Sequence, residues 1–186
     1  VGNERGYGYD TMWSPILRDK IYPGCPDFDN YRNGQEKGTH WVSPEVDVSI
    51  RPGWYYHPDQ DLKVKTPDSL MKIYVASVGR NSNLLLNIPV DRRGLIHPND
   101  STSMIGFKQL RDKGLVNLLS KNDQISTSSN HSGKSNADLI DKNNKTFWAA
   151  NKADQLPLIN VELKTPKLIN AIMIQEPIFM GQRIIQ

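Results

Sequence analysis

Residues 40–57 read HWVSPEVDVSIRPGWYYH, and the middle of that stretch decides what kind of chain this is. From Glu45 to Arg51 the side chains alternate: Val46, Val48 and Ile50 share one side, Asp47, Ser49 and Arg51 the other. A period of two marks a strand with one face packed on apolar material. Pro52-Gly53 then turns the chain sharply and delivers Trp54, Tyr55, Tyr56 and His57 in succession. Rigid aromatic surface is costly to leave in water, so at the C-terminal end of a strand it is expected to line something. In barrels and open α/β sheets that end is where ligands sit. Sugars suit such a surface, because their C–H faces and methyl groups stack on indole while their hydroxyls need polar neighbours. The plainer alternative is an aromatic cluster that plugs a core.

Downstream, Pro67 to Gly79 has the marks of a helix. Thr66 stands where an N-cap is wanted, Pro67 at the first helical position, and Leu70, Ile73 and Tyr74 follow at spacings of three and four, with Gly79 as the expected end. Arg80 to Asn83 leads into Leu84-Leu85-Leu86-Asn87-Ile88, closed by Pro89. A continuous apolar run suits a parallel strand buried on both faces, and strand, helix, strand makes one βαβ step, expected to be right-handed. The charged turn Asp91-Arg92-Arg93-Gly94 then falls on the same side as Trp54. Asn99-Asp100-Ser101 is expected to cap a further helix carrying Ile105, Phe107, Leu110 and Leu115, with a break at Gly114.

Upstream, residues 1–14 form a glycine-punctuated loop in which Glu4 stands between Asn3 and Arg5. Gly2, Gly6 and Gly8 let the backbone turn close to a ligand. Glu4 is a candidate acid/base group whose pKa depends on a balance, burial raising it and Arg5 lowering it. Residues 15–39 are broken by Pro15, Pro23, Gly24, Pro26, Gly34 and Gly38; so long an irregular connection suits a wall or lid over a site. After Asn117 the texture changes. Ser120 to Ser135 is polar and Ser-rich, as a boundary or a loop opening a new unit would be. Beyond it, 139–141, 146–149, 159–163 and 169–174 are short β-branched segments separated by Asn, Lys and Pro, which predicts the start of an antiparallel β-sandwich.

The totals bound these readings. The chain has 186 residues with 37% hydrophobic and 23% charged, a globular composition. A net charge of +3 without a Lys/Arg block argues against a nucleic-acid partner, and no apolar run approaches membrane-spanning length, so no membrane insertion is expected. One cysteine, Cys25 in Pro-Gly-Cys-Pro, excludes an internal disulfide and reads as structural. The chain starts on Val1-Gly2-Asn3 without Met and stops at Gln186 within a β-rich pattern, so it is expected to be an internal piece of a longer protein.

Three blocks now stand in order: GNERG with Trp13-Ser14, WVSPEVDVSIRPGWYYH, and SVGRNSNLLLNIPVDRRGLIH. Together, from Val1 to about Leu118, they resemble successive blocks of the family 29 glycoside hydrolases, the retaining α-L-fucosidases. VGNE with RPGW is more similar to the subfamily acting on branched α-1,3/1,4-fucosides than to the broad-specificity one. The tail, from LIDKNNKTFWAANKADQ onward, is similar to the opening of a discoidin-like (factor 5/8 type C) galactose-binding module. The resemblance implies an α/β chain: the C-terminal portion of a (β/α)8 TIM-like barrel over 1–118, a linker over 119–136, and the beginning of a carbohydrate-binding-like β-sandwich over 137–186.

It also implies an exo-acting hydrolase that removes terminal α-linked fucose from fucosylated oligosaccharides or glycoconjugates by double displacement, without a cofactor. Glu4 would be the general acid/base, needing partial burial to raise its pKa. Retention needs a second carboxyl about 5–5.5 Å away, and the family's nucleophile, an aspartate, lies upstream of Val1; Asp47 does not take its place. Trp54 matches the aromatic platform under the C6 methyl of fucose, a discrimination of about 1–3 kcal/mol against galactose. Arg51 and Glu45 are expected as substrate-binding or supporting groups, Arg51 equally as the partner of a loop carboxylate. His57 and His40 read as structural, and Asn81, Asn83 and Asn87 as satisfying backbone groups. Asp138, Asp141 and Thr146 lie where related modules place a structural calcium, but they also fit an ordinary turn, and no metal is assigned. A secreted or periplasmic location follows from the substrate class. The rival from another class is a carbohydrate-binding barrel that has lost its catalytic pair.

Overall fold

The structure, a computed structural model, describes residues 2–120 and 123–177. The chain divides into two compact units, one running to Leu115 and the other beginning at Val116. In the first unit the strands are β1 (Gly2–Asn3), β2 (Pro15–Ile16), β3 (His40–Trp41), β4 (Glu45–Ser49) and β5 (Asn83–Asn87), and the helices are α1 (Phe28–Tyr31), α2 (Pro67–Ser77) and α3 (Pro98–Gly114). β4 is the middle of a three-stranded sheet ordered β1-β4-β5. Both pairings are parallel, with Gly2 opposite Glu45 and Ser49 opposite Asn87. β2 and β3 form a separate antiparallel pair at either end of the irregular loop.

The alternation in β4 is real, but its second face is not solvated. Val46 and Ile50 are fully buried and Val48 nearly so, each such side chain stabilising by about 1.5–3 kcal/mol. Ser49 and Arg51, on the opposite side, are buried as well. Their polar groups must therefore find partners inside the protein. β1 approaches β4 so closely that a Cβ on Gly2 would collide with the Glu45 carbonyl, and Gly2 has φ of 144°; only glycine allows this pairing.

The βαβ step spans β4, α2 and β5. Thr66 caps α2 by accepting from Ser69 N, with Pro67 beside it as expected. Gly79 does not end the helix. The chain continues as a 3-10 turn over Val78–Arg80, and Asn81, in the left-handed region at φ 58°, reverses it. Asn81 can do so because its amide donates to Met12 O (3.0 Å) and Ser14 Oγ (3.2 Å), tying the N-terminal loop to the end of α2. β5 is not buried on both faces: Leu85 is half exposed, because β5 is an edge of the three-stranded sheet. The third helix starts one step earlier than its Asn-Asp-Ser signal suggests. His97 is its N-cap, Nδ1 accepting from Asn99 N, and Asp100 lies inside the first turn, fully buried. α2 and α3 pack through Tyr74 and Phe107, whose rings lie 5.7 Å apart, and through Gly106 against Pro67.

In the second unit, β6 (Gln124–Thr127) pairs antiparallel with β7 (Ile159–Glu162). β6 falls within 119–136, so the Ser-rich stretch read as a linker supplies a strand. Of the four segments read as strands, only 159–163 forms one among the described residues; 139–141, 146–149 and 169–174 do not. Leu139 instead ends a 3-10 turn, Asn136–Leu139, closed by a capping box between Ser135 and Asp138. Residues 178–186, the last of the expected sandwich, lie outside the described residues. Among the described residues, no helix is long and apolar enough to cross a membrane.

Candidate functional site at the exit of the central strand

Trp54 leaves β4 on a backbone that is held at nearly every polar atom. Ser49 Oγ donates to Gly53 O (2.7 Å), and Gly53 N donates to Gln60 Oε1 (3.3 Å). Asn87 Nδ2, from the facing position of β5, donates to Ser49 Oγ (3.0 Å) and to Trp54 O (2.9 Å). Lys65 Nζ donates to Ser49 O (2.7 Å) and Arg51 O (3.4 Å), while Lys65 N donates to Ile50 O (2.9 Å). Burial lowers the Lys65 pKa. Trp54 is 40% exposed and Tyr55 79%, so within this chain the aromatic run presents a surface.

Beneath that surface sits Arg51, whose side chain and that of Asp100 are both fully buried. An uncompensated charge there would cost several kcal/mol, so the arrangement depends on its partners. Nε reaches both Asp100 oxygens (3.1 and 2.9 Å) and Nη1 reaches Asp61 Oδ1 (2.9 Å). The guanidinium carbon lies 4.8 Å from the centre of the Tyr56 ring. Burial works against the Arg51 charge, but its hydrogen bonds to the carboxylates of Asp100 and Asp61 outweigh it and raise the pKa above its usual value. Asp61 also faces His97 Nε2 at 3.5 Å and the Tyr56 hydroxyl at 3.4 Å, and its backbone oxygen accepts from Asn99 Nδ2. The exit of β4, the loop behind it and the first turn of α3 thus share one polar network.

Glu4 follows directly on the C-terminal end of β1 and is exposed. Its neighbour Asn3 shapes the loop, accepting from Arg5 N (2.8 Å) and donating to Tyr7 O (3.0 Å). β1 and β4 run parallel, so Glu4 and Trp54 each follow the C-terminal end of a strand; the register, Gly2 opposite Glu45 and Asn3 opposite Val46, sets the end of β1 beside the first half of β4. Glu45 is exposed at the N-terminal end of β4. Arg51 lies at the right end, but with its guanidinium turned into the ion-pair network just described, so the loop-carboxylate alternative describes its geometry. His57 is exposed and heads the 3-10 turn Pro58–Gln60; His40 is exposed in β3. Asn83 donates to Ser43 Oγ, a side chain rather than a backbone group. Asp141 accepts from Asn143 N and from the Thr146 hydroxyl, and Asp138 from Ser135 N, so these carboxylates close local turns.

Sequence reasoning missed Asp61, Asp100 and His97 and undervalued Asn87. The one available signal was the need of a strand-exit arginine for carboxylates; nothing local says which ones. The charged turn at the exit of β5 is also tighter than expected: Arg93 grips Asp91 at 2.5 Å and holds its carboxyl down to about 2.

The arrangement offers a carboxyl on an exposed loop and an aromatic plate on a rigid mount, each following a strand of one parallel sheet. Comparison with known proteins bears on what it serves. The family model for alpha-L-fucosidase matches residues 15–108. Alpha-L-fucosidase 1 of Arabidopsis thaliana is 31% identical over 99% of this chain. The chain spans 37% of the length of the curated plant relatives it matches. A solved structure named SpGH29 superposes with a TM-score of 0.76 at 33% identity, covering 89% of this chain and 36% of that one. A Ruminococcus gnavus GH29 fucosidase in complex with fucose superposes with a TM-score of 0.70 at 25% identity, over 87% of this chain and 33% of that one.

Proposed function

Because this chain belongs to the alpha-L-fucosidase family of glycoside hydrolases, we propose that it forms the late strands of a (β/α) barrel that removes terminal α-linked fucose with retention. One observation supports this most: β1 and β4 are parallel neighbours, and Glu4 and Trp54 each follow the C-terminal end of a strand, the side on which barrel enzymes keep their chemistry.

In this reading Glu4 protonates the leaving glycosidic oxygen while an aspartate from another strand attacks the anomeric carbon. The resulting fucosyl–enzyme ester is then hydrolysed by a water that Glu4, now the base, deprotonates. Glu4 is exposed in this chain, so closure of the site around bound glycan would supply the burial a neutral-pH acid needs. Trp54 offers its indole face to the C6 methyl. The branched α-1,3/1,4 preference and a galactose-binding-like role for the second unit rest on sequence resemblance and belong to the proposal.

The test uses the full-length protein, wild type beside Glu4→Gln, on an aryl α-L-fucoside and a Lewis-type trisaccharide. Release of fucose from the trisaccharide by wild type only, with a smaller loss on the aryl substrate and partial rescue by azide, is the expected result. An activated leaving group needs little protonation, which is why the two substrates separate. Binding without cleavage of either would make the protein a lectin-like relative and Glu4 a loop residue.

A further inference from the structure

Trp54 is 40% exposed, so the placing of its ring depends on something that holds the backbone beneath it. The facing pair Ser49 and Asn87 does this with no donor left over. One N–H of the Asn87 amide goes to Ser49 Oγ (3.0 Å) and the other to Trp54 O (2.9 Å). The Ser49 hydroxyl, with its oxygen occupied by that amide and by Arg51 N (3.3 Å), sends its proton to Gly53 O (2.7 Å). The carbonyls of Gly53 and Trp54 belong to the two peptide planes that flank the Trp54 Cα. Holding both planes restrains φ and ψ of Trp54, and with them the direction of its Cα–Cβ bond, so the ring is left only its staggered side-chain rotamers to choose among. The Asn87 backbone is fixed in turn, its carbonyl accepting from Ile50 N (2.9 Å).

We propose that Asn87, through Ser49, is a positioning residue for sugar specificity: it anchors the point from which the Trp54 indole projects, so that a 6-methyl group is accepted and a 6-hydroxymethyl group is not. The inference rests on Trp54 being the platform for the C6 methyl. A plate that discriminates one small group must be held to a fraction of an ångström, and a surface indole on a free loop would yield to the larger sugar. Asn87→Asp keeps the shape but replaces the amide donors with carboxylate oxygen. That oxygen repels Trp54 O and draws the Ser49 proton away from Gly53 O.

The experiment measures kcat/KM of the full-length protein on an aryl α-L-fucoside and on the aryl α-L-galactoside, its 6-hydroxy counterpart. The variants are Asn87→Asp, Ser49→Ala, Trp54→Phe and the Asn87→Asp/Trp54→Phe double, each with its thermal unfolding midpoint. The fucoside-to-galactoside ratio is expected to fall about three- to tenfold in Asn87→Asp and in Ser49→Ala, the size of one hydrogen bond's net contribution. Most of that change should appear as a lower KM for the galactoside, as an indole that yields to the larger sugar requires. In the double variant Asn87→Asp should add nothing to the effect of Trp54→Phe. If Trp54→Phe lowers the ratio but folded Asn87→Asp and Ser49→Ala lower both substrates equally, Asn87 is merely structural and the proposal falls. Should Asn87→Asp not fold, Ser49→Ala alone decides in the same two ways. A ratio unmoved by Trp54→Phe sinks the platform reading first, and the role of Asn87 with it.

Discussion

Arg51 shows how a single residue can change meaning between sequence and structure. At the end of an alternating strand beside an aromatic run it has the look of a ligand-binding cation, yet its side chain and that of Asp100 are both 0% exposed. Removing Asp100 by Asp100→Ala strands a buried guanidinium, and the expected loss of stability is about 3–5 kcal/mol in denaturant unfolding of the full-length protein. Arg51→Met combined with Asp100→Leu should recover much of that loss, since neither charge then remains to be desolvated. A double variant no better than Asp100→Ala would show that Asp61 and the Tyr56 ring, not the ion pair, hold the exit of β4. Asp91 supplies the pH dependence. Its carboxyl is held at about 2 against an ordinary 3.8, chiefly by the Arg93 side chain. A group whose folded pKa is depressed stabilises above its unfolded pKa and loses that contribution as pH falls through the folded value. The stability difference between wild type and Asp91→Asn should therefore be constant above about pH 4 and shrink towards pH 2 in an acid titration of unfolding. These roles were legible only as residue types: Asp61 and Asp100 lie 10 and 49 residues from Arg51, and no local pattern ties them to it.

At the scale of elements, the sequence spoke most clearly where the physics is local. The start of α2 at Thr66-Pro67 and the period of β4 follow from a cap, a ring-fixed φ and alternating side chains. Ends were read less well. Gly79 carries the usual stop signal, but Asn81 takes the left-handed position because Met12 O and Ser14 Oγ wait to receive its amide. Gly106 makes the same point inside α3. An alanine there would ordinarily gain about 1 kcal/mol of helix propensity. Its Cβ, however, would sit 2.6 Å from Pro67 Cγ, against the rigid ring that opens α2. Gly106→Ala is therefore expected to lower the thermal midpoint; a rise would mean that α2 and α3 separate at little cost. The strands of the second unit were misjudged for a related reason. Segments 139–141, 146–149 and 169–174 are apolar enough for strands, but a strand needs a partner, and the described structure provides one only for Ile159–Glu162.

At the scale of the molecule, the apolar core is small. The buried hydrophobic side chains among the described residues are Met12, Cys25, Val46, Val48, Ile50 and Leu70, while Leu62, Leu85, Leu168 and Met173 are among many that are exposed. So few fully buried apolar side chains leave little to offset the conformational entropy of ordering a chain this long. The isolated 186 residues are thus expected to unfold without a sharp cooperative transition in calorimetry. A steep endotherm at high temperature would mean that this core suffices. The chain spans 37% of the length of the curated plant relatives it matches.

The sequence by itself determined the parallel βαβ step, the exit of Trp54 at the C-terminal end of β4 and the family, because each depends on periodicities, caps and motifs contained in a few consecutive residues. Tertiary structure alone decided which groups those residues meet. It chose Asp100 and Asp61 for Arg51, and Asn87 for the Trp54 carbonyl 33 positions away. It also left Glu45 exposed at the N-terminal end of β4, and paired Ile159–Glu162 with a strand in the Ser-rich stretch. The reason is physical. Local patterns set what a residue can do, whereas burial sets what it must do, and burial depends on which distant segments pack above it.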